Sequence, residues 1–223
     1  MRKAARTGFG ARLIVEMLCS MVLMAEGGFA PSYARGEDET AERLRVSVRV
    51  HNYAPLSGQS LQRGENEAAR IFRKIGVEVC WDPAAAEPSP DAECSVLTAY
   101  PRFELRIAPS FAPVRGVTDG DSAGLAFANQ ASVSFRQIGG EAAAIRADPA
   151  ELLGPVIAHE LGHLLLGPNS HSSFGIMQAR WSRDDYRRAV RGQLDFTPQE
   201  GERMRAEIRE RVRTQGAGAI ASK

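Results

Sequence analysis

Apolar and polar residues alternate along three segments in the first half of the chain. A period of two residues is typical of a strand with one buried face, so each segment is predicted to be a β-strand. Two shorter extended pieces follow them along the chain. The predicted strands cover Leu44 to Tyr53, Val77 to Trp81 and Phe103 to Ile107, and the extended pieces cover Gly124 to Ala128 and Ala131 to Phe135.

Other segments of the chain carry apolar residues at the spacing of a helix. A helix is predicted from about Ser60 to Ile75, with Gly76 as its stop signal. Asp148, followed by Pro and then Glu151, starts a second helix that runs toward Leu166, although Gly154-Pro155 should kink it or reset its beginning. Two more helices are predicted, at 182–191 and 198–213. The fold class is therefore α/β (α+β), with C-terminal helices.

The amino-terminal segment is typical of an export signal. Basic residues precede a short apolar run, and Ser32-Tyr33-Ala34 offers small residues for cleavage. Residues 1–34 are predicted to be a signal peptide, 35–43 a flexible segment, 44–214 the main folded domain and 215–223 a disordered tail. The protein is expected to be secreted or periplasmic, without stable membrane insertion after cleavage. The alternative is an uncleaved anchor with an extracytoplasmic domain.

Net charge and cysteine content limit which partners, and which oxidation state of the cysteines, can be expected. The formal net charge is +1, which is too small to favour nucleic acid as a partner. In an oxidising compartment Cys80 and Cys94 are a candidate disulfide, and two free buried thiols are the alternative. The segment Thr118-Asp119-Gly120-Asp121 could contact a calcium ion, but a plain surface turn is the favoured interpretation.

The histidines of this chain are the residues that indicate its chemistry. Only four histidines are present, and three of them are His159, His163 and His171. On a helix, His159 and His163 project from adjacent turns of one face and can bind one zinc ion. Glu160 lies one position further round the helix, where a general base can stand beside a metal without binding it. The alternative is two ordinary histidines on a helix.

His171 strengthens the metal interpretation. Three protein ligands with one open position are typical of a catalytic zinc site, whereas structural zinc sites fill all four positions. Met177 follows in a Gly-Ile-Met turn close behind the ligands. If His171 does not bind the metal, Asp184 or Asp185 on the next helix could replace it.

The motif and the Met-containing turn resemble the metzincin metallopeptidases, especially the matrixin-like branch. The resemblance implies a zincin fold with a twisted mixed sheet and an active-site helix. It also implies that His159, His163 and His171 are zinc ligands, that Glu160 is the base and that Met177 lies in the turn beneath the metal. The spacing departs from the family pattern: H-E-L-G-H-L-L-L-G-P-N-S-H has one extra residue before the glycine and another before the third histidine.

The expected function is that of a secreted zinc metalloendopeptidase acting on peptides or proteins. In metzincins an edge strand beside the cleft pairs with extended substrate, and Gly124, Leu125 and Ala126 are the candidates here. An ordinary edge strand is the alternative for these residues. For the whole protein, the alternative is an exported zinc-binding module without peptidase activity.

Overall fold

The computed structural model describes residues 44–83, 100–111 and 124–221, all within one compact unit spanning Thr40–Lys223. The predicted signal peptide, the flexible segment 35–43, Cys94 and the 118–121 turn lie outside the described residues. Cys80 is buried in the second strand, and the Cys80–Cys94 disulfide stays a prediction. The described strands are β1 Leu44–Asn52, β2 Val77–Pro83, β3 Arg102–Ala108, β4 Gly124–Phe127 and β5 Gln130–Ser134, and the helices are α1 Gly58–Lys74, α2 Phe135–Ile145, α3 Pro149–Leu166, α4 Arg183–Val190 and α5 Pro198–Ala221.

The five strands form one mixed sheet in the order β2-β1-β3-β5-β4. All neighbouring pairs are parallel except β4 and β5, so β4 is an antiparallel edge strand. The predicted alternation is present: Val46, Val48 and Val50 are buried, and Arg49 between them is exposed. The mixed α/β class predicted from the sequence is confirmed.

Helices supply the apolar partners of the sheet. Strand β3 contributes Phe103, Leu105 and Ile107 to a core that also contains Phe72 of α1 and Ile157 of α3. Helix α3 lies against β4 and β5, and α5 lies against β1. The helix that carries the histidine motif is therefore held between the sheet and other helices.

Helices α1 and α3 approach each other at two glycines. A Cβ on Gly154 would lie 2.7 Å from the backbone oxygen of Gly64, and a Cβ on Gly64 would lie 2.7 Å from Leu153. Helix α3 nevertheless runs without a break through Pro155, so the predicted reset at Gly154-Pro155 is wrong. The helix begins instead at the reciprocal capping box of Asp148 and Glu151, which satisfies two of its first N–H groups.

Helix α2 is an element that the sequence patterns did not predict. It starts directly after β5, where the Ser134 side chain accepts a hydrogen bond from the backbone N–H of Gln137. Ile138 and Ala142, four residues apart, are its buried positions. Helix α5 continues to Ala221, past its predicted end and into the predicted tail. None of the described helices combines the length and apolarity needed to cross a membrane.

Candidate metal centre

Helix α3 presents His159 and His163 on one face while its other face is buried. The two Nε2 atoms are 3.1 Å apart, so both imidazoles point toward one place. The apolar residues on the rest of this helix are buried, among them Leu153, Ile157, Leu161, Leu164 and Leu165. Because that face is fixed in the core, the histidine pair is held in position.

His171 reaches the same place from the loop that follows α3. The helix ends at Gly167, whose φ of +94° favours glycine. The His171 ring centroid lies 4.7 Å from that of His163 and 5.7 Å from that of His159. One ligand atom from each of the three histidines lies within 4.8 Å of the others. The altered motif spacing therefore still brings three imidazoles together around a space where a single metal ion could bind.

The carboxylates considered as substitutes have other partners. Asp184 is 85% exposed and pairs with Arg187 at 2.8 Å. Asp185 accepts hydrogen bonds from the backbone N–H and the hydroxyl of Ser182 at the start of α4. Neither belongs to the histidine cluster found among the described residues.

A backbone carbonyl orients His159. Its Nδ1 lies 2.7 Å from the carbonyl oxygen of Ile176, which can only accept, so Nδ1 carries the proton. The lone pair of Nε2 is then directed at the metal position. Trp181 Nε1 donates to the same carbonyl oxygen at 3.0 Å. The contact of Trp181 could not be predicted from the sequence, because no local pattern links it to Ile176.

The hydroxyl of a serine orients His163, as the Ile176 carbonyl orients His159. The Ser170 hydroxyl donates to the carbonyl oxygen of Gly167 at 2.6 Å and lies 3.2 Å from His163 Nδ1. Since its hydrogen is used on Gly167, the hydroxyl oxygen accepts from His163 Nδ1–H. His163 therefore also keeps Nε2 free for a metal.

Burial keeps these imidazoles neutral. It lowers the pKa of His159 to about 4, with the neighbouring histidines adding to the effect. Burial and His171 also lower the pKa of His163. Neutral imidazole is the form that binds metal, so both groups are ready to bind at neutral pH.

Glu160 is enclosed beside the histidines. Its side chain is buried, and burial raises its pKa to about 8. Gly124 of β4 lies directly against it, because a Cβ on Gly124 would overlap the Glu160 carboxyl carbon. A bound cation would favour the ionised carboxylate and lower this pKa.

Met177, for which a place in a turn beneath the metal stays a prediction, packs against α3. It is completely buried, and its Sδ would lie 2.6 Å from a Cβ on Gly162, between the two helical histidines. The turn is closed by a hydrogen bond from the Ser172 N–H to the Met177 carbonyl oxygen at 2.9 Å. This turn also carries Ile176, so it contributes the carbonyl that orients His159.

A cavity of about 410 Å³ opens over the histidines. Gly124, Leu125 and Ala126, the predicted substrate-pairing residues, line one side of it. Residues of α2, α4 and the segment after Met177 also line it. The remaining lining residues are Gln137, Glu141, Val156, His159, Glu160, His163, Pro168, Asn169, His171, Gln178, Ala179, Arg180, Trp181 and Tyr186.

Among known proteins, the chain is similar to solved structures only. No protein-family model and no curated protein sequence matches the chain. It is similar to archaemetzincin from Methanopyrus kandleri, with a TM-score of 0.46 and 14% identity over 75% of this chain and 96% of that chain. A zinc-dependent peptidase from Methanocorpusculum labreanum gives a TM-score of 0.46 and 17% identity over 71% of this chain and 99% of that chain. The activity of this chain is therefore inferred from its own side chains.

Proposed function

We propose that this chain is a zinc-dependent metalloendopeptidase. His159, His163 and His171 would hold the zinc, and Glu160 would be the general base. The observation that supports this proposal most strongly is that one ligand atom from each of the three imidazoles lies within 4.8 Å of the others. They line an open cavity together with a buried carboxylate. The matrixin-like assignment stays a prediction.

The donor set suits zinc. Three neutral imidazoles are the protein ligands of several catalytic zinc sites, which keep a fourth position open. The fixed tautomers of His159 and His163 match the outer hydrogen bonds usual for zinc-binding histidines. A zinc ion held here supplies Lewis acidity, which acidifies water and polarises a carbonyl oxygen.

The residues of the chain supply binding and proton transfer. The edge strand β4 would pair with an extended peptide through backbone hydrogen bonds and place its scissile bond over the histidines. Glu160, directly behind Gly124, would accept a proton from the attacking water at a carboxylate oxygen. It would then donate that proton to the nitrogen of the leaving amine, which completes hydrolysis of the amide bond.

Cleavage of an unstructured protein tests this function. Zinc-loaded wild type should cleave it, and Glu160→Ala should lose about 100-fold or more in rate, in line with removal of a general base. Glu202→Ala, at an exposed position on α5, is the matched control and should keep the wild-type rate. Cleavage that survives Glu160→Ala would overturn the proposal. Stoichiometric zinc in a wild type that cleaves nothing would indicate an exported zinc-binding module instead.

Export is part of the proposal and rests on the composition of residues 1–34. The exported protein should begin at Arg35, as determined by sequencing its amino terminus. A membrane-bound form that begins at Met1 would support the anchored alternative. Mass analysis with and without reduction would test the Cys80–Cys94 disulfide expected in that compartment.

A further inference from the structure

The cavity extends from the metal centre to a wall formed by three helices. Gln137 and Glu141 of α2 line this wall, together with Val156 of α3 and Tyr186 of α4. Gln137 and Glu141 are four residues apart and therefore share one face of α2. Val156 precedes Glu160 by four residues on α3, so the wall is continuous with the predicted catalytic base.

Glu141 is a half-buried carboxylate in this wall. Among residues 44–83, 100–111 and 124–221, no side chain or backbone group forms a hydrogen bond or an ion pair with it. Its charge acts on Tyr186, because burial and Glu141 together raise the pKa of that phenol to about 12. The Tyr186 hydroxyl therefore stays protonated, and Glu141 is the carboxylate that the described residues place in this wall.

The other charged side chain on the described lining, outside the metal centre, is Arg180. Arg180 is exposed, whereas Glu141 is half-buried. A charge interacts more strongly with a ligand where water is partly excluded. Glu141 therefore contributes more than Arg180 to the electrostatic potential at this wall, which is negative.

We infer that Glu141 is a specificity-determining residue that selects a lysine or arginine side chain next to the scissile bond; this inference rests on the proposed peptidase function. The carboxylate would accept charge-assisted hydrogen bonds from the ammonium or guanidinium group. Val156 offers an apolar surface for the aliphatic part of the side chain. The amide oxygen of Gln137 and the phenol oxygen of Tyr186 are further acceptors.

Matched peptides test this selectivity. They differ only in carrying Lys, norleucine or Glu at one of the two positions that flank the scissile bond. With Lys at one of these positions, wild type should show a kcat/KM about tenfold or more above norleucine, as one charge-assisted hydrogen bond implies. Glu141→Gln should abolish that preference and Glu141→Lys should shift it toward Glu. Arg180→Ala is the control and should keep the preference for Lys.

Two results would overturn the inference: equal kcat/KM for Lys and norleucine at both positions in wild type, or a Lys preference that persists in Glu141→Gln. Binding separates this inference from the proposed function. The same peptides are titrated calorimetrically into the zinc-loaded Glu160→Ala variant, with and without Glu141→Gln. Tighter binding of the Lys peptide that disappears with Glu141→Gln supports the subsite even if no peptide is cleaved. Equal binding of Lys and norleucine peptides refutes it.

Discussion

Trp181 and His159 donate hydrogen bonds to one shared acceptor, the carbonyl oxygen of Ile176, at 3.0 and 2.7 Å. The Trp181 ring also meets the His159 ring edge to face, with centroids 5.9 Å apart. Tyr186 in turn packs against Trp181, with ring centroids 5.5 Å apart. A residue that does not bind metal is thus joined to a predicted zinc ligand through one backbone carbonyl.

Replacing Trp181 by Phe should weaken zinc binding by about tenfold, because outer partners of metal-binding histidines typically contribute 10–100-fold to affinity. The change keeps an aromatic ring but removes the N–H that holds the Ile176 carbonyl. Competition with a chromogenic chelator measures the affinity. Tyr186→Phe, which removes a hydroxyl from the same aromatic cluster, is the control and should bind zinc as wild type does. Unchanged affinity in Trp181→Phe would show that the shared carbonyl does not need its second donor.

His171→Ala should lower zinc affinity by more than the roughly 100-fold that the strongest outer-partner substitutions produce, because it removes a ligand. Asp184→Asn should leave the affinity unchanged, since this carboxylate is 85% exposed and pairs with Arg187. Both variants are measured by metal analysis after dialysis against a weak chelator. If Asp184→Asn loses zinc and His171→Ala retains it, the third ligand comes from α4 instead.

Gly124→Ala should reduce peptide cleavage strongly while zinc content stays stoichiometric. The added Cβ would overlap the Glu160 carboxyl group, so either the carboxylate or the edge strand must move. Gly140→Ala is the matched control: nothing lies within 4 Å of its Cβ, and alanine favours a helix over glycine. A fully active Gly124→Ala enzyme would show that close contact with β4 does not position Glu160.

Glu160 should make the metal-free protein less stable as the pH rises. Its pKa is raised by burial to about 8 in the folded chain, against an ordinary value of 4.5. The folded state therefore binds the proton more tightly, and the stability from the protonated group is lost between these two values as pH increases. Glu160→Gln, which mimics the protonated form, should match wild type near pH 5 and exceed it near pH 8.5. Denaturant unfolding of both apo-proteins gives the comparison, and parallel pH profiles would contradict it.

Several elements follow from contiguous residues. Strand β1 is visible as alternating valines and polar residues, and the start of α3 is visible in the Asp148–Glu151 capping box. The pairing of His159 with His163 needs only the pitch of a helix. These predictions succeeded because periodicity and caps depend on residues that are close together in the chain.

Helix α2 was not predicted because its sequence signals are weak. Its sequence contains two adjacent glycines, and only Ile138 and Ala142 are buried. Glycine lowers helix propensity, so packing against α3 and α4 must stabilise the helix. The roles of Ser170 and Trp181 were missed for another reason. Each acts through a backbone carbonyl, and every residue type has the same carbonyl.

The chain alone determined the donor types, the helix that displays two of them and the polar and apolar faces of the strands, since each depends on neighbouring residues. Only the tertiary structure decided that the longer loop after Gly167 returns His171 to the pair. Packing likewise decided that Gly124 covers Glu160 and that α2 supplies the cavity wall carrying Glu141. Contacts of this kind depend on the path of the backbone between distant elements, which no local pattern encodes.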